Sequence, residues 1–227
     1  MSKKADDAVR RVELRQPYEN PMSAIKAVAF DLFGTLVQIG QPKQPFARLL
    51  ERLGLAPAEA KALRRFIMTK DKGLAGVANA LGGHISLAQL AEIESDLYAE
   101  LASVSLFPET LAVLDTLRTK GVKIGIASNL AAPYAIPVQT LLPPLDVAVW
   151  SFRVGAVKPE PAFFQQVIDG FGCEASEILM VGDNGKNDVV GALAAGLQAR
   201  LIHRAEPREP ESLATLWDVL PVVVRSR

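Results

Sequence analysis

"AFDLFGTLV", residues 29–37, runs apolar into Asp31 and then turns through Gly34 and Thr35. A continuous apolar run of this length reads as a strand covered on both faces, here delivering a carboxylate into a tight turn. The full run, "IKAVAFD" (25–31), has counterparts at "VKIGIAS" (122–128), "LDVAVW" (145–150), "EILMVGD" (177–183) and "ARLI" (199–202). Helix-like stretches separate them. "PETLAVLDTLRTKG" (108–121) has Pro near its start, Gly at its end, and Leu111, Leu114 and Leu117 spaced for one face. "PEPAFFQQVIDGFG" (159–172) and "NDVVGALAAG" (187–196) repeat the plan. This alternation predicts an α/β fold, a doubly wound parallel sheet with right-handed crossovers.

One gap breaks the rhythm. Between Val37 and Phe107 no strand is expected, and the helix-like segments "PFARLLERLG", "PAEAKALRRFIMTK" and "SLAQLAEIESDLYAELASV" follow one another. The interval is too long for a loop and has its own apolar faces, so it predicts a helical subdomain inserted after the first strand. The expected boundaries are a polar N-terminal arm over 1–22, an α/β core over 23–40 and 107–227, and the insert over 41–106.

The 227 residues, 49% hydrophobic and 22% charged, can build a sizeable core. With 25 basic and 25 acidic residues there is no global field to attract nucleic acid or an anionic membrane. Cys173 is the only cysteine, which excludes an internal disulfide and a multi-thiolate zinc site. Apolar runs stay below the ~20 residues that span a bilayer, and the opening segment lacks the apolar stretch of a signal peptide. A cytoplasmic protein is expected.

In open parallel sheets the ligand crevice lies beyond the carboxyl ends of the strands. Those ends present Asp31, then Ser128 and Asn129, then Lys158 in "VGAVKPEP", then Asp183 and Asp188 in "GDNGKND". A carboxylate at a strand end can attack an electrophile held in line with it. The turn with Gly34 can aim backbone N–H groups at an anion, and Thr35 is placed to orient Asp31 or a ligand oxygen. Ser128 offers a short donor and Lys158 a compact positive charge. Three clustered carboxylates repel one another unless a cation is present, and hard oxygen ligands suit Mg2+. Singly, each residue has a plainer reading: Asp31 as a turn former, Ser128 and Asp188 as helix caps, Lys158 as a solvated loop residue.

Taken in order, the segments resemble the haloacid dehalogenase (HAD) superfamily of hydrolases. Its first motif, Asp-x-x-x-Thr, matches Asp31 and Thr35; the second matches Ser128; the third matches Lys158-Pro159; the fourth matches Gly182-Asp183 with Asp188 beyond. The resemblance implies a Rossmann-like core and a cap domain inserted after the first strand. It implies Asp31 as nucleophile, Ser128 and Lys158 as holders of the substrate anion, and Asp188 as an acid behind the site or a partner of the lysine. Mg2+ would be bound by Asp31, Asp183 and the backbone carbonyl of Phe33. A small anionic substrate, a phosphate ester or a 2-haloacid, is implied as the partner.

The resemblance breaks at Phe33. Phosphatases of this family carry a second Asp there, which protonates the leaving oxygen; a phenyl ring cannot. The family's 2-haloacid dehalogenases have an aromatic residue at that site and need no metal, yet "VGDNGKND" keeps the phosphatase-like Asp183. The sequence therefore leads to a Mg2+-dependent phosphatase, with a metal-independent dehalogenase as alternative and a phosphate-binding protein of weak turnover as a third reading. Arg48, Arg64 and Arg65 are the cations available near the cap. His84 and His203 read as structural or surface residues, and Cys173 as a small, partly buried side chain.

Overall fold

Ala27–Phe30 forms β1 at the centre of the main sheet, with all four residues buried. Alternate side chains go to opposite faces. Ala27 and Ala29 meet the cluster containing Phe163, Phe164 and Phe171, while Val28 and Phe30 meet the cluster containing Val113, Leu114 and Leu117. Small residues on one face leave room for the aromatic helix that covers it. The computed structural model describes residues 24–55, 60–82, 84–205 and 212–225. The N-terminal arm expected over 1–22 lies outside them.

Five strands make the main sheet: β1, β4 (Lys123–Ser128), β5 (Val147–Trp150), β6 (Ile178–Gly182) and β7 (Gln198–Leu201). All neighbours pair in parallel, in the order β5-β4-β1-β6-β7. Helices α5 (Thr110–Thr119), α6 (Ala135–Leu141), α7 (Ser151–Val154), α8 (Pro161–Phe171) and α9 (Gly191–Ala194) connect them, and α10 (Val219–Arg225) follows the last strand. The expected doubly wound α/β sheet is present. In α5 the buried residues are Thr110, Val113, Leu114 and Leu117, whereas Leu111 is 49% exposed. Leu111 therefore does not share the buried stripe the sequence suggested, because Val113 and Leu117 bring the core-facing side of the helix round past it.

The interval after β1 differs from expectation in one respect. It contains two strands, β2 (Val37–Ile39) and β3 (Val104–Leu106), paired antiparallel as a separate ribbon. Each is three residues long and only one face is buried, so neither shows a strand pattern in sequence. Between them stand α1 (Pro45–Arg52), α2 (Ala60–Met68), α3 (Leu74–Ala80) and α4 (Leu87–Ala102). Leu49, Val77, Ile93 and Leu97 centre a third apolar cluster there, joined by Ala131 from the turn after β4. Ser86 and Gln89 form a capping box at the start of α4.

Candidate active site

The chain runs from β1 outward through β4 and β5 on one side, then returns to β6 and β7 on the other. Strand order reverses beside β1, which is where open α/β sheets hold ligands. The carboxyl ends of β4, β1 and β6 are therefore neighbours, and they carry Ser128, Asp31 and Asp183. A cavity of about 170 Å3 opens there, lined by those three residues together with Phe33, Lys158 and Asp188. Asn129, Asn184 and Asn187 complete its wall.

Lys158 ties the site together. Its ammonium is buried and lies 2.7 Å from Asp31 Oδ1 and 2.6 Å from Asp188 Oδ1. Burial alone would depress its pKa, but the charges of Asp31 and Asp188 prevail and hold the group above its usual value. The lysine is thus a fixed cation. Asn129 sets its backbone: Lys158 N–H donates to Asn129 Oδ1 (2.8 Å), and Asn129 Nδ2 donates to the Lys158 carbonyl (2.9 Å). Asn129 lines the cavity, as a ligand-binding residue would, but both ends of its amide are committed to positioning the lysine.

Two glycines make room for acids. At Gly34, with φ of +83°, an added Cβ would lie 2.2 Å from Asp183 Oδ2; at Gly182 it would lie 2.3 Å from the Asp188 carboxylate. Asp188 is further held by the Asn184 N–H, which donates to its Oδ2 at 2.9 Å. Asp31, Asp183 and Asp188 each offer a carboxylate oxygen within 4.8 Å of the others. Desolvation, with the charges of Asp31 and Asp188, pushes the Asp183 carboxyl up to about 6. Three carboxylates facing one ammonium form a donor set of hard oxygens with charge to spare, and this fits Mg2+.

The turn after Asp31 departs from the role expected of Gly34 and Thr35. Gly34 N–H donates to the Val37 carbonyl, and Thr35, Leu36 and Val37 N–H groups all donate to the Leu32 carbonyl. Neither Gly34 nor Thr35 is among the cavity's lining residues, and Thr35 is fully buried with its hydroxyl unpartnered among the described residues. These two residues build the turn rather than its ligand-facing surface. Arg204, just past β7, clamps it from behind: Nη2 donates to the Thr35 carbonyl (2.8 Å), Nη1 pairs with Glu109 (2.7 Å), and the guanidinium lies 3.6 Å from the Phe107 ring centroid. Partial burial works against ionisation of Glu109, but Arg204 holds its carboxyl below the usual range. No motif in the sequence signals Arg204.

On the other side, the Phe33 ring meets Tyr134 edge-on, with centroids 5.7 Å apart. Tyr134 Oη donates to Glu100 Oε1 at 2.5 Å, and Glu100 Oε2 accepts from the N–H groups of Lys43 and Gln44. Burial and the adjacent carboxylate raise the phenol's pKa. The cap-region arginines divide: Arg48 pairs with Glu92 and Asp96, Arg65 pairs with Glu160, and Arg64 lines a second cavity. His84 is exposed and Cys173 half-buried, both away from the site's lining. Among the described residues no helix is long and apolar enough to cross a membrane.

Comparison with known proteins assigns the chain a family. The family model for haloacid dehalogenase-like hydrolases matches residues 25–196. A phosphoglycolate phosphatase of Rhodospirillum rubrum is 31% identical over 204 residues, 82% of each chain. The solved structure of a HAD phosphatase from Thermococcus onnurineus matches with a TM-score of 0.60 at 25% identity, covering 88% of this chain and 98% of that one. That of an L-2-haloacid dehalogenase matches with a TM-score of 0.58 at 24% identity, covering 89% and 100%. The chain belongs to the haloacid dehalogenase-like hydrolases.

Proposed function

We propose that this hydrolase cleaves phosphate monoesters with Asp31 as nucleophile and Mg2+ as cofactor. The observation that carries the reading is the cluster of Asp31, Asp183 and Asp188 around a single buried lysine. Asp31, Asp183 and the Phe33 carbonyl would hold the ion, which when bound would draw charge from the phosphoryl oxygens. Metal-independent dehalogenation would leave Asp183 without the ligand role that the resemblance gives it. The phosphatase names of the relatives support the same reading.

Lys158 fixes Asp31 Oδ1 and leaves the other carboxylate oxygen to attack phosphorus. The new P–O bond to Asp31 forms as the ester P–O bond breaks, and the departing oxygen takes its proton from water. A second water then attacks phosphorus and gives its proton to the hydroxide left by the first, the bond between phosphorus and the Asp31 oxygen breaks, and inorganic phosphate leaves with Asp31 restored. Ser128 and Lys158 stabilise the phosphoryl oxygens, Asp188 and Asn129 position Lys158, and the insert over 41–106 acts as a cap that excludes bulk water.

Phe33 favours a second reading, metal-independent release of halide from a short 2-haloacid, since halide departs without a proton. Assays of the purified protein with p-nitrophenyl phosphate and 2-chloropropionate, with and without Mg2+, separate the two. Phosphate release should require Mg2+ and fall by about three orders of magnitude or more in Asp31→Asn. Undiminished phosphate release in excess chelator would count against the metal; halide release unaffected by chelator, with no phosphate release, would favour the second reading.

A further inference from the structure

A second cavity, of about 490 Å3, opens between α1, α2 and the turn at 131–134. Phe46, Leu50, Ile67, Met68 and Tyr134 supply much of its wall, and Gln44, Glu51 and Arg64 are its polar members. Its size falls among pockets that hold drug-sized organic molecules, and the lining is of the apolar kind such pockets use. The Asp31 cavity, at about 170 Å3, is a third as large and polar but for Phe33. With roughly 30 Å3 to a water, it is scaled to a phosphoryl group and its immediate company.

The two cavities share a wall. Phe33 lines the first, Tyr134 lines the second, and the two rings touch edge to face. Tyr134 cannot turn its hydroxyl toward the second cavity without giving up Glu100, so it presents its ring there. The Phe33 and Tyr134 rings therefore stand between the polar space beside Asp31 and the apolar space beside α1 and α2.

We propose that the second cavity receives the organic group of the substrate, and that this group is aromatic and apolar: the substrate class is an aryl-bearing phosphate ester. The inference rests on the phosphoryl group occupying the Asp31 cavity. A two-carbon acid would reach little of the apolar wall and would leave the half-buried Phe46 and Met68 facing water. An aromatic ring in the second cavity would displace that water and pack against Phe46 and Tyr134.

The test is calorimetric binding of two non-hydrolysable phosphonates to the full chain in Mg2+. Naphthylmethylphosphonate should bind about ten-fold or more tightly than methylphosphonate, a difference of about 1.4 kcal/mol. Ala47, exposed on α1 and on the cavity wall, offers a way to fill the chamber without disturbing the core. Ala47→Trp should bring the affinity ratio close to one, and Met68→Gln on the opposite helix should lower it if the tryptophan variant melts early. Equal affinities in the wild type, or a ratio that survives both variants, would overturn the proposal. Neither ligand has an ester oxygen, so the outcome does not depend on turnover. A retained ratio without hydrolysis of any aryl phosphate sinks the phosphatase reading alone; hydrolysis with a ratio near one sinks the subsite.

Discussion

In the proposed reaction Phe33 leaves the departing oxygen without a positioned acid. It stands on the cavity wall beside Asp31 with no proton to give, and positioned acid–base help is typically worth ~10²–10⁴ in rate. Turnover should therefore fall steeply as the leaving oxygen of a series of substituted phenyl phosphates becomes less acidic. Phe33→Asp should flatten that dependence and raise the rate on the poorest leaving groups by about ten-fold or more; a flat wild-type series would show that another group already supplies the proton. Asp183 makes a different prediction. Its carboxyl, raised from 3.8 to about 6, binds a proton in the folded protein that the unfolded chain releases. The group's contribution to stability is thus greatest below its unfolded pKa and falls as pH rises toward 6. Added Mg2+ relieves the repulsion only where Asp183 is ionised, so the rise in Tm on adding Mg2+ should grow between about pH 5 and pH 7 and shrink in Asp183→Asn. Thermal melts at fixed ionic strength measure it, and an increment independent of pH would speak against Asp183 as a ligand. Asp31 and Asp183 could be placed on the rim from the sequence because each follows an apolar run, whereas Lys158 and Asp188, in polar loops, could be placed only through the motif order. Asn129 and Thr35 were legible in position only, because the partners of an amide or a hydroxyl are set by segments brought together in space.

Elements that gather long apolar runs were easy to read, and short ones were not. The five core strands are covered on both faces and keep their signal, whereas "VQI" and "VSL" form β2 and β3 only because each has the other. Their pairing brings Phe107 alongside Leu36, whose carbonyl accepts the Phe107 N–H at 3.1 Å. The turn after Asp31 and the return path from the insert are thereby fastened to each other, and Arg204 grips both through the Thr35 carbonyl and the face of Phe107. Arg204→Met keeps much of the stem and removes the fork. It should cost about 1–3 kcal/mol of stability and lower kcat more than it raises KM, since the turn that aims Asp31 loses its brace. Arg204→Lys should recover stability in part and kcat little, because an ammonium cannot span the two partners as a planar fork does. Urea denaturation and steady-state kinetics on the same preparations distinguish a loosened turn from a protein that is merely less stable.

Across the whole molecule, the insert and the α/β sheet meet through contacts of unequal worth. Arg65 and Glu160 pair at 2.7 Å, but both side chains reach solvent, where screening leaves such a pair little worth. Glu100 is 3% exposed and holds Tyr134 together with two backbone N–H groups at the entry to α1. Tyr134→Phe deprives this buried carboxylate of one donor and should cost about 1–3 kcal/mol, measurable by chemical denaturation and exceeding the loss in Arg65→Ala. The β2–β3 ribbon places this joint in a wider setting. The chain departs from the sheet at Ile39 and comes back at Val104, residues that face each other across the ribbon. Exit and return are one doorway, so the length of what hangs between them is invisible to the strands below. Such a doorway lets evolution, or an engineer, graft a foreign helical segment at Gly40 and Ser103 while Asp31 and Lys158 stay where they are.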